Sequence, residues 1–124
     1  MQNPLRLLLI SAPIIGACGA SFPPPTQRLA DAQAAERSAR EVGANSSPEA
    51  QLSLKLAQDQ IAQAQKAMDN GDNEQANSLL VRAKMDGELA LARAREKNAR
   101  AGHQEAAAES ADQKSVNVIQ GAVK

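Results

Sequence analysis

The sequence predicts an all-α protein in which a short helix is followed by a long antiparallel helical hairpin. Three observations predict it. Of 124 residues, 43% are apolar, and 26 residues are alanine, a strong helix former. Phe22 is the only aromatic residue, whereas strands favour aromatic and β-branched side chains. Apolar residues recur at spacings of three and four over three successive stretches, the period of a helix face. The same composition excludes function classes. Fourteen basic residues balance fourteen acidic ones, so no net charge attracts nucleic acid, and no aromatic platform stacks bases. One His and one Cys are too few for an ordinary metal site.

The first helix is expected over about residues 27–42. Thr26 follows three prolines and suits an N-cap. Leu29, Ala32, Ala35, Ala39 and Val42 form one stripe, and Glu36 and Arg40 make an i,i+4 pair on the outside. Gly43 suits the left-handed residue after the helix. Ala44–Ser47 reads as a loop. Its Asn45-Ser46-Ser47 triplet, a match to a glycosylation site, reads as a capping loop.

The second helix, about 48–70, starts on Ser47-Pro48-Glu49: cap, proline at the first helical position, acid in the first turn. Its seam is Leu54, Ala57, Ile61, Ala64 and Met68. Leu52, Leu56 and Ala67 form a second strip, which suggests a neighbour on each side over the first half.

Asn70-Gly71-Asp72 stops one helix and restarts another. Asp72 is expected as the cap of the third, with Glu74 near its positive end. Ala76, Leu80, Ala83, Gly87, Ala90 and Ala94 are its seam, flanked by Leu79, Leu89 and Leu91. The pattern carries the helix from 73 to about 111 and places a flexible tail at 112–124. Between Gln27 and Ala111 lie thirteen large apolar residues. At about 1.5–3 kcal/mol each for full burial, they offset chain entropy narrowly, so a completing partner or self-association is expected.

The N-terminal segment reads as an export address. No acidic residue occurs in the first 30 positions, and the apolar run Leu7–Ile15 is shorter than a membrane span. Ile15-Gly16-Ala17-Cys18 resembles the bacterial lipobox, in which the signal peptidase recognises the three residues before a lipidated Cys. The resemblance implies a signal peptide at 1–17, a covalent lipid on Cys18 and a mature chain starting there. A second observation agrees: Cys18 is the only cysteine and has no disulfide partner. Residues 18–25, with Pro23-Pro24-Pro25, read as a stiff tether between the lipid and a helical domain at 26–111. Gly19 rather than Asp follows Cys18, so the inner-membrane retention signal of enteric bacteria is missing. That implies the outer membrane, with the chain facing the periplasm.

The helical region resembles the Ala-rich bacterial envelope lipoproteins grouped as domain of unknown function 4398. The residues that carry the resemblance are Leu29-Ala30-Asp31-Ala32, Arg40-Glu41-Val42-Gly43-Ala44, Ser47-Pro48-Glu49-Ala50, Gly71-Asp72-Asn73-Glu74-Gln75-Ala76 and the run Ala83–Arg95. The resemblance implies place and shape and supplies no catalytic residue. The turn is also similar to half of a tetratricopeptide repeat through Ala64, Ala67, Gly71-Asp72, Ala76, Leu80 and Ala83. Gln60 stands where that family has an aromatic anchor, and no second copy is present.

No catalytic or metal-binding constellation is evident. His103 reads as an exposed residue, and Glu105, Glu109 and Asp112 as a solvated strip. No nucleophile stands beside a base, and no cofactor or small-molecule substrate is expected. Arg93, Arg95, Lys97 and Arg100 form a basic cluster, a candidate partner contact that could also meet phosphates. The expectation is a non-enzymatic, lipid-anchored interaction or structural module of the bacterial cell envelope. The alternative is a subunit that binds peptidoglycan or lipopolysaccharide, against which the lack of aromatics argues.

Overall fold

A computed structural model describes residues 22–122. The lipobox residues Ile15, Gly16, Ala17 and Cys18 lie outside the described residues. The fold is all-α: α1 spans Thr26–Glu41, a short 3-10 turn Ala44–Ser46, α2 Pro48–Asp69 and α3 Asn73–Ala122. α2 and α3 form the antiparallel hairpin, and α1 lies along both, mostly against α3.

The turn chemistry follows the sequence. Gly43 has φ 94° and Gly71 φ 83°, both in the left-handed region that glycine enters without cost. At Gly71 the chain closes a Schellman motif. The Asp72 N–H donates to the Ala67 carbonyl (2.8 Å) and the Gly71 N–H to Met68 (3.0 Å), satisfying carbonyls the ending helix would orphan. Pro48 occupies the first position of α2 after Ser47 in extended conformation.

Two caps differ from expectation. Thr26 is already the first residue of α1; Pro25 precedes it, and no side chain caps the helix. Ser47 sits at the N-cap of α2, but its hydroxyl donates to the Glu49 carboxylate (3.1 Å) and leaves the backbone uncapped by a side chain. Asp72 stands directly before α3, and its carbonyl accepts the first bond of that helix from the Ala76 N–H (2.9 Å).

The interior is mainly alanine. Every residue of the expected α3 seam, Ala76 through Ala94, is buried. Two apolar clusters result. One lies near the hairpin turn, around Leu80, Ile61 and Ala32; the other lies under the 3-10 turn, around Leu54, Ala39 and Ala90. Between them Glu36 is only 5% exposed, although its i,i+4 pairing with Arg40 suggested an outer face. Its carboxylate pairs with Arg40 and also accepts from Gln58 Nε2 of α2 (2.7 Å), so two donors offset its burial.

The second α2 strip is only partly covered. Ala67 is buried, but Leu52 is 65% and Leu56 40% exposed. α1 packs on one side of the hairpin, and no element of the described chain lies on the other. Leu89, expected to flank the seam, is likewise 41% exposed.

α3 also runs on through the segment expected to be a flexible tail. Past Gly102 no helix breaker intervenes until Gly121, and Ala106-Ala107-Ala108 supports propagation. At 50 residues it is about 75 Å long. From Arg95 to Ile119 every residue is exposed, so this half projects beyond the domain. Among the described residues, no helix is long and apolar enough to cross a membrane.

Candidate functional site

Two ends of the domain concentrate polar interactions. At the first, α3 passes the 3-10 turn and the start of α2, and the basic cluster meets that loop. Buried Ala44 and Ser47 hold the turn down, and its last carbonyl, that of Ser46, faces α3. Arg93 donates to the Glu49 carbonyl (2.8 Å) and the Ser53 hydroxyl (3.2 Å). Lys97 donates to the Ser46 carbonyl (2.7 Å), and Asn98 to the Val42 carbonyl at the end of α1 (3.0 Å). Lys97 and Asn98 thus satisfy carbonyls that the α1–α2 connection leaves free, and Arg93 adds a donor to a carbonyl in the first turn of α2.

The four cations are therefore not equivalent. Arg93 and Lys97 are committed to the protein's own backbone. Arg100 pairs with Glu96 on the same helix, with 75% of its side chain exposed. Arg95 is exposed and takes no part in the clasp. With Glu49, Glu96, Ala101 and Gln104, the other three line a shallow recess of about 290 Å³. The Glu49 carboxyl is held below its ordinary value by its own backbone N–H, then by the Ser47 hydroxyl. Lys97 and Arg100 add attraction, against the opposing effect of burial. Opposite charges are interleaved here, so the recess presents no uniform field to an anion.

At the second end, Asn73 opens α3 beside the hairpin turn. Its Nδ2 donates to the Phe22 carbonyl (2.8 Å), while Pro25 is buried and its carbonyl accepts the Leu29 N–H. The chain therefore enters the domain at the hairpin turn, opposite the basic clasp. The turn region, Phe22 with Gly71–Gln75 and Ser78, is an open groove.

Sequence reading missed Asn73 and Asn98, because amides that bond distant backbone carbonyls leave no periodic or motif signal. His103, Glu105, Glu109 and Asp112 are all exposed on the projecting half of α3. Among the described residues, no three His, Cys, Asp or Glu side chains cluster as metal ligands would.

A family model described as "Domain of unknown function (DUF4398)" matches residues 27–115, well over half of the chain. No curated protein and no solved structure matches.

Proposed function

The chain belongs to the DUF4398 family, and we propose that it is a non-enzymatic, lipid-anchored module of the bacterial cell envelope that presents a helical rod to a protein partner. The lipid is carried by Cys18, and the chain faces the periplasm from the outer membrane. The observation that carries this reading is the polarity of the domain. Asn73 holds Phe22 at the hairpin turn, so a lipid on Cys18 sits four residues from that end. Four residues span at most about 14 Å, which keeps the turn close to the membrane surface. α1 then climbs to the clasp, and α3 continues beyond Asn98 for about 36 Å. The projecting half presents Val116, Val118 and Ile119 (47–71% exposed) far from the anchor.

This geometry supports presentation better than catalysis. The recesses among the described residues are open and shallow, and the one hydroxyl bonded there to a carboxylate, Ser47 to Glu49, belongs to a buried serine at the start of α2. Contact with a partner falls to the exposed half of α3, including Arg95 and Arg100, rather than to Arg93 and Lys97, which the fold already uses.

The test is metabolic labelling with palmitate in a bacterium that expresses the full chain. Label is expected on the wild type and lost in Cys18→Ala. Equal labelling of both would overturn the anchor. Binding of the purified chain to peptidoglycan sacculi would favour the glycan reading instead.

A further inference from the structure

The side of the hairpin turned away from α1 is the strongest unexplained surface. On α3, Gly87 touches α1; Met85 and Leu89 each stand two residues from it, about 200° around the helix and so on the opposite side. On α2, Gln58 bonds α1, and Leu56 stands two residues from it, with Leu52 one turn further on. These four side chains are 40–65% exposed on a common face. Apolar side chains gathered in this way mark an association surface.

We infer that a second copy of this chain covers this face, packed antiparallel about a two-fold axis level with Leu89. The charges around the patch specify that occupant. Arg82 and Glu96 each lie seven positions, or two helical turns, from Leu89 and on its side of α3. A two-fold axis at Leu89 brings Arg82 of each copy onto Glu96 of the other, where Glu96, already paired with Arg100 on its own helix, gains a second cation. The bonds Gln60–Asp86 and Arg93–Ser53 fix the register of α2 against α3, and that register sets Ala57 level with Leu89. Lys55 and Asp59, paired with each other on α2 (3.1 Å), stand two positions either side of Ala57, so the same axis sets Lys55 beside Asp59 of the other copy as well. Two opposite-charge pairs on two helices thus share one centre, as a self-complementary interface requires. The result is α3 on α3 and α2 on α2, with the four apolar side chains enclosed and α1 outside. The inference is independent of the lipid anchor.

The test uses the full-length chain with Cys18→Ser, so that only an introduced thiol reacts. Leu89→Cys, which sits on the axis, is expected to crosslink to a covalent dimer with a short bismaleimide. Ala34→Cys, exposed on α1, is expected to stay monomeric. No excess of dimer at Leu89 over Ala34 overturns the inference. Sedimentation equilibrium gives a second arm. Arg82→Glu or Glu96→Arg alone is expected to weaken the dimer about tenfold, since each occurs twice in the interface. The double swap is expected to restore it. Singles without effect, or a double swap that does not restore the dimer, overturn the inference. Unchanged helical circular dichroism in the singles separates a weakened dimer from unfolding.

Discussion

Gly87 of α3 crosses Ala35 of α1 so closely that a Cβ on Gly87 would lie 3.0 Å from the Ala35 Cβ. It would also lie 3.1 Å from the Glu36 nitrogen. Glycine inside a helix costs about 1 kcal/mol relative to alanine, so close approach is what its presence secures here. Gly87→Ala gains that propensity but forces the backbone of α1 outward, and a net loss of about 1 kcal/mol is expected. Gly87→Val is expected to cost about 3 kcal/mol. Ala35→Gly combined with Gly87→Ala is expected to recover part of the alanine loss. Urea unfolding measures all of these, and a stabilised Gly87→Ala would contradict the close contact.

The clasp gives a second prediction, which separates folding from binding within the basic cluster. Lys97→Ala strips the Ser46 carbonyl of its side-chain donor, and Arg93→Ala does the same at Glu49 and Ser53. Each is expected to cost about 1–2 kcal/mol in urea unfolding. Arg95→Ala is expected to change stability by less than about 0.5 kcal/mol. Equal effects at all three would remove the distinction.

Glu49 gives a pH dependence. Its carboxyl titrates below its ordinary range in the folded chain, so it contributes stability at neutral pH. That contribution is complete above the unfolded-state value and is lost as pH falls through the lowered folded-state value. The melting temperature of the wild type should therefore fall more between pH 7 and pH 3 than that of Glu49→Gln. Parallel falls in the two proteins would refute the assignment.

The fold was largely legible because periodicity and turn chemistry are local. Gly43 and Gly71 marked both helix ends, and the run Ala76–Ala94 marked the buried seam of α3. The arrangement of the helices was less so. Leu52 and Leu56 have the spacing of a covered strip, yet a helical pattern does not say on which side a short neighbour lies. Glu36 looked exposed because its internal donor, Gln58, is 22 residues away. The tail looked unstructured because no large apolar residue between Leu91 and Val116 ties that stretch to the domain; helix propensity extends α3 through it. Of the candidate site, the four cations were visible as a cluster. Their division between backbone clasp and free surface was not, since carbonyl acceptors exist at every residue.

Membrane polarity is the most direct test of the central claim, that a lipid-held rod has its hairpin turn at the membrane and α3 pointing away. Fluorophores placed through Asp72→Cys and through Val116→Cys, in the lipidated chain reconstituted into vesicles with spin-labelled headgroups, measure it. Strong quenching at position 72 and none at position 116 is the expected result. Equal quenching at both positions, or stronger quenching at 116, would contradict the account.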